Sequence, residues 1–170
     1  GPSPRNRTEQ RRYLTATEAQ VKLSELGNRA LFIDVRTRAE VAFLGMPTAA
    51  DANIPYMLTD GFTAWDERKL NFKLVPNSAF TRQVTESLQR KGLDKDAPVI
   101  LVCRSGNRSA KAANLLHAAG YTEVYNITDG FEGDKARSGP RQGERVVNGW
   151  KNAGLPWSYA LDKDKIWPEE

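Results

Sequence analysis

The sequence predicts an α/β domain with a mostly parallel sheet. Strand-like and helix-like segments alternate along the chain and no internal repeat breaks the alternation. Size and composition suit one soluble core: 170 residues, 39% hydrophobic and 27% charged. The longest apolar runs, such as Val99-Ile100-Leu101-Val102, fall far short of the roughly 18 residues that cross a bilayer. Neither a membrane span nor an apolar signal segment is expected.

Each element has its own local signal. Thr15-Ala16-Thr17-Glu18 spells a capping box, in which the Thr15 hydroxyl and the Glu18 carboxylate satisfy first-turn amides. The helix it opens runs through Val21, Leu23 and Leu26 to a stop at Gly27. Leu31-Phe32-Ile33-Asp34-Val35 is an apolar strand with a carboxylate near its end, and Arg36 to Leu44 reads as a short helix closed by Gly45. Residues 46–76 are less regular, with a brief strand at Ala52-Asn53-Ile54 and turns at Asp60-Gly61 and Val75-Pro76. After Pro76-Asn77-Ser78, Phe80, Val84 and Leu88 recur every four residues and give an amphipathic helix that Lys91-Gly92 ends. The strand Val99 to Val102 follows, then an alanine-rich helix through Leu115, Leu116 and Ala119 to Gly120, then a strand from Glu123 to Ile127. Gly130 to Glu144, rich in Gly and charge, reads as a surface loop. A last helix is expected over Val146 to Ala153, before Gly154-Leu155-Pro156, with residues 158–170 a docked or frayed tail.

The formal net charge is +4, and residues 1–12 carry most of it: Arg5, Arg7, Arg11 and Arg12 stand against Glu9 alone. This basic arm is expected to be disordered or tag-derived, since Gly1-Pro2 without a Met has the form left by tag cleavage. The body has no long basic stripe interleaved with aromatics, so nucleic acid is not an expected partner. A polar arm ahead of the domain and the lack of a second thiol incline the expected location slightly toward the bacterial periplasm, with a signal removed, over the cytoplasm. A monomer is expected. One Cys and one His allow no internal disulfide, no zinc cage of Cys and His and no paired redox motif, so no metal or cofactor is expected.

One thiol remains to be explained. Cys103 follows a buried strand and precedes a helix, a junction where backbone amides lack partners and the helix dipole favours an anion. Arg104 and Arg108 add full positive charges. A free thiol near pKa ~8.5 can be brought to about 3.5–7.5 by such surroundings. Cys103 is therefore expected as a thiolate, with Ser105, Gly106 and Asn107 letting consecutive amides turn inward as a nest around it. The blander alternative is an inert buried Cys, which would gain nothing from a doubly cationic glycine turn.

Cys103-Arg104-Ser105-Gly106-Asn107-Arg108-Ser109 resembles the active-site loop of the rhodanese-like sulfurtransferases. Asp34-Val35-Arg36 with Glu40 is similar to that family's first conserved block. Asn53-Ile54-Pro55 is similar to its second, and Gly149-Trp150 with Ala153-Gly154-Leu155-Pro156 to its C-terminal block. Gly45-Met46-Pro47 stands where the family usually has Gly-His. The resemblance covers residues 13–157, with apparent insertions at 57–75 and 131–146. It implies an open, mostly parallel five-stranded sheet flanked by helices on both faces. Phosphatases and arsenate reductases with a similar Cys loop offer a rival reading. Their loop has one residue more between Cys and Arg than the four seen here, and a tighter nest suits a persulfide sulfur better than a phosphoryl group.

The resemblance implies a sulfurtransferase acting by double displacement. Cys103 takes the outer sulfur of a donor such as thiosulfate, and the Cys103 persulfide passes it to cyanide, a thiol or a protein acceptor. Arg104 is the expected partner of the donor's oxyanion end, and Ser105, Gly106, Asn107, Arg108 and Ser109 complete the persulfide loop. Arg108 is expected to brace the loop against Asp34 or Glu40, though it could also meet the donor. Asp34, Arg36 and Glu40 are read as supporting residues, Asp34 because ligand crevices of open α/β sheets lie at strand ends. A non-catalytic module acting as a persulfide carrier or redox sensor is the alternative. His117 sits too far along its helix to reach the sulfur and is read as a surface residue. Trp65 is the candidate site wall, and Lys135, Arg137, Arg141 and Arg145 are loop cations that default to solvent.

Overall fold

The computed structural model describes residues 1–168. Five parallel strands make the central sheet: β1 (Tyr13–Leu14), β2 (Leu31–Asp34), β3 (Ala52–Asn53), β4 (Val99–Val102) and β5 (Val124–Ile127). Their order is β1-β5-β4-β2-β3, so the two apolar strands β2 and β4 lie at the centre, in register from Leu31 opposite Val99 to Asp34 opposite Val102. Four helices connect them: α1 (Ala16–Leu26), α2 (Arg38–Leu44), α3 (Phe80–Arg90) and α4 (Asn107–Ala118).

Side chains of successive strand residues point to opposite faces, and here both faces are covered. Leu31, Ile33, Val99 and Leu101 pack with Phe80, Val84 and Leu88 of α3 and Ala112, Ala113 and Leu116 of α4. Phe32, Ile100 and Val102 pack on the other side with Ala16 and Ala19 of α1, Val41 of α2, Phe131 and Trp150. This is the α/β sheet with helices on both faces that the sequence predicts. No helix among the described residues is long and apolar enough to cross a membrane.

Three expectations are corrected. The arm at residues 1–12 is docked rather than disordered. The Asn6 side-chain amide donates to Ser105 O at 2.9 Å and Thr128 O at 2.8 Å, while Gln10 donates to Tyr121 O and accepts from Val124 N. Such amides satisfy main-chain groups that would otherwise be left unpaired as the chain buries them. Second, α2 begins at Arg38, because Thr37 and Glu40 form a capping box of their own that frees Arg36 to fold back on Asp34. Third, residues 146–153 form turns instead of a helix. Gly149 sits at φ +97°, and Trp150 N and Lys151 N bond to Gly130 O and Phe131 O, which ties the segment to the preceding loop.

The tail docks. Ile166 bridges Asn53, Trp167 is buried, and Arg38 donates to Trp167 O. Residues 57–76 carry two small antiparallel pairs, Met57–Thr59 with Leu74–Pro76 and Trp65–Asp66 with Asn71–Phe72. Trp65 packs edge-on against Phe72. It is 44% exposed.

Candidate active site

The site is built where β4 ends. Val102 is the last strand residue, Cys103 follows, and Gly106 turns the chain into α4 at φ +102°. A Cβ built on Gly106 would stand 2.5 Å from both Asn6 Nδ2 and Thr128 O, so this position requires glycine for space as well as for backbone conformation. Cys103 is 1% exposed and touches the core beneath α3 and α4, yet its sulfur faces polar groups. Gly106 N donates to Sγ at 3.1 Å and Ser109 Oγ approaches Sγ at 3.1 Å. Of the amides expected to converge on the sulfur, Gly106 N is the one bonded to it among the described residues, with the Ser109 hydroxyl beside it. The first-turn amides of α4 open toward the same loop, as helix geometry dictates.

Ser109 is fully buried and also meets Asn126 Oδ1 at 2.5 Å. Asn126 Nδ2 donates to Asn6 O at 2.9 Å and Gly106 O at 3.0 Å, which fixes its orientation. Asn126 and Asn6 were not singled out from sequence. A lone Asn inside the otherwise apolar run Val124 to Ile127 is the signal that could have found the first; nothing local marks the second.

The arginines divide into two kinds. Arg108 grips Glu40 with both terminal nitrogens, at 2.6 and 2.8 Å. Burial alone would raise the Glu40 carboxyl, but the hydrogen bonds and charge of Arg108, with Thr37 N–H and the charge of Arg36, hold it down at about 2. The same pairing raises Arg108 against the opposing effect of its burial. Arg36 is entirely buried. It pairs with Asp34 at 2.6 Å, donates to Gly45 O at 2.7 Å, and lies over the Phe131 ring at 4.1 Å. Asn53 Nδ2 in turn donates to the carbonyls of Asp34 and Arg36. Asp34 and Arg36 thus hold each other, as do Glu40 and Arg108, with the buried Arg36 Nη1 left without a partner among the described residues.

Arg104 differs. Its Nε donates to Glu132 Oε1 at 2.7 Å, its side chain is 42% exposed, and no bond occupies its terminal amino groups among the described residues. The loop carbonyls anchor the segment after β5: Phe131 N bonds Cys103 O, and Glu132 N and Gly133 N both bond Arg104 O. Ser105 and Asn107 are half-buried. His117 lies on the outer surface of α4, with Nδ1 2.9 Å from Gln10 Nε2.

The arrangement offers one enclosed sulfur with donors aimed at it and, on the residue that follows, a half-exposed guanidinium held by Glu132. Such a centre can perform nucleophilic chemistry on a small anion.

A family model described as rhodanese-like domain matches residues 15–137. That match begins near the expected start of the domain and ends short of residue 157. An uncharacterized protein of Rickettsia prowazekii, RP600, is 32% identical over 134 residues, covering 79% of this chain and 87% of that protein. The thiosulfate sulfurtransferase GlpE of Tolumonas auensis is 43% identical over 54 residues, which is 32% of this chain and 42% of GlpE. The crystal structure of Rv0390 from M. tuberculosis superposes with a TM-score of 0.65 at 32% identity, covering 87% of this chain and 97% of that one. With the family model spanning more than half of its length and similarity to RP600 and Rv0390 extending across most of each, the chain belongs to the rhodanese-like domain family.

Proposed function

We propose that the protein is a sulfurtransferase that moves a sulfane sulfur from thiosulfate, or a similar small donor, to cyanide or a thiol through a persulfide on Cys103. The observation that carries this reading is the Cys103 sulfur itself, enclosed at the mouth of α4 with Gly106 N and Ser109 Oγ at 3.1 Å. Local similarity to a thiosulfate sulfurtransferase supports the same chemistry.

In the first half-reaction the Cys103 thiolate attacks the outer sulfur of thiosulfate. A new S–S bond forms, the old S–S bond breaks, and its electron pair leaves with sulfite. The negative terminal sulfur of the persulfide is then held by loop amides that the helix start leaves unpartnered. In the second, an acceptor takes that sulfur; with cyanide the products are thiocyanate and the Cys103 thiolate. No external oxidant or reductant is needed. Because Cys103 is 1% exposed, the enclosure selects a small donor.

Arg104 is the natural partner of the donor's oxygens, whereas Arg108 is held by Glu40 and acts as a brace. Asp34 and Arg36 support the loop from β2, and Ser105, Gly106, Asn107 and Ser109 shape it.

Mass spectrometry after thiosulfate treatment tests the reading: one added sulfur on Cys103, with thiosulfate–cyanide turnover that vanishes in Cys103→Ala, is the expected result. A stable persulfide without turnover would make the protein a carrier. No added sulfur at all would refute both.

A further inference from the structure

The sequence default for the cations of residues 131–146 is a solvated loop, and Arg145 departs from it. Its Nη1 donates to Gly133 O at 2.7 Å, and its own carbonyl is held by Asn152 Nδ2. The neighbouring peptide is the one that binds Arg104, since Gly133 N and Glu132 N both close on Arg104 O and Glu132 Oε1 takes Arg104 Nε. Two guanidinium groups are therefore tied to one short segment, Glu132-Gly133, which the Arg104 carbonyl anchors to the Cys103 loop.

Arg145 is half-buried, and its Nε–H is covered without meeting an acceptor among the described residues. A buried donor left unpaired costs free energy until an oxygen reaches it. Burial pushes this guanidinium down, and the nearby positive charge of Arg104 pushes it further, against the opposing pull of Glu132, Asp134 and Cys103. Like charges brought together in partial burial are relieved by an anion placed between them. The other two arginines beside the loop are placed differently: both terminal nitrogens of Arg108 are taken by Glu40, and Arg36, although its Nη1 also lacks a partner among the described residues, is entirely buried and out of reach of an incoming anion.

We propose that Arg145 is a second anion anchor beside Arg104, and that the pair holds the sulfonate end of a dianionic sulfane donor while Cys103 attacks its outer sulfur. The proposal rests on the sulfur-transfer reading and names the residue that sets its donor specificity. A sulfonate has three oxygens, enough for one guanidinium on either side, and the departing sulfite remains within the same pair of positive charges.

The test compares wild type with Arg145→Gln and Arg145→Lys in the thiosulfate–cyanide assay, with the rate of Cys103 alkylation by neutral iodoacetamide as a second readout. A charge-assisted hydrogen bond lost at this site corresponds to a fall in kcat/KM for thiosulfate of about ten-fold or more in Arg145→Gln. Arg145→Lys should recover part of that fall, and alkylation should stay within about two-fold of wild type in both variants. An unchanged kcat/KM overturns the proposal. So does an equal loss in alkylation, which would make Arg145 a support of the loop rather than a donor contact. Failure of the wild-type protein to acquire sulfur from thiosulfate would instead refute the sulfur-transfer reading beneath it.

Discussion

Glu40→Gln isolates one interaction under the loop. The substitution keeps the shape and the oxygen that caps Thr37 N, since Gln also serves at this capping-box position, and removes the charge facing Arg108 together with the acceptor that Oε2 offers to Arg108 Nη2. Both side chains of the pair are about one-fifth exposed, so solvent screens it little. A carboxyl held at about 2 against its ordinary 4.5 corresponds to ~3 kcal/mol at neutral pH, at about 1.36 kcal/mol per pH unit. The folded value is the depressed one, so this stabilisation is fully present above about pH 4.5 and is lost as pH falls toward 2. Urea unfolding of wild type and Glu40→Gln should therefore differ by ~2–3 kcal/mol at pH 7 and by roughly half that at pH 3. Other titrating groups cancel in the difference between the two proteins. A gap that is the same at both values, or below about 0.5 kcal/mol at pH 7, would refute the reasoning, because the pair would then resemble an exposed ion pair.

Two further perturbations address the loop. Gly106→Ala places a methyl against Asn6 and Thr128 at a positive φ, so thermal unfolding should show a loss of ~1–3 kcal/mol, and hydrogen exchange in residues 1–12 should quicken as the arm loosens. Asn6→Ala removes the amide that serves Ser105 O and Thr128 O. A loss of ~1–3 kcal/mol in urea unfolding is expected, with alkylation of Cys103 becoming faster as the loop opens; unchanged values of both would mean that the arm is not a working part of the site.

What the sequence made legible follows the range of the interactions. The Thr15–Glu18 box is local, and α1 starts where it predicts; Thr37–Glu40 carries the same pattern and starts α2 at Arg38, two residues after the Arg36 expected from the apolar run. The apolar runs of β2 and β4 announce buried strands, whereas β1 is two residues long and exists because Leu14 finds Ile127 far along the chain. The docking of Asn6 on Ser105 spans 99 residues, and no periodicity encodes it. The turns at 146–153 likewise depend on Gly130 and Phe131, partners that a local helix signal does not see. At the site, the residue types around Cys103 were readable, but the division of its arginines into braces and free donors required the partners Glu40 and Glu132 to be seen in space.

Ser109 lies between two acceptors and owns a single hydrogen. While the sulfur keeps its proton, S–H can point to Ser109 Oγ and the hydroxyl can pass its own hydrogen on to Asn126. Once the sulfur is ionised, that hydrogen must swing back, and the Asn126 oxygen loses it. Asn126 cannot rotate to compensate, since Asn6 and Gly106 clamp its other end. Whichever acceptor the Ser109 hydrogen serves, the amide behind it stays put, held by contacts that reach the first turn of the polypeptide.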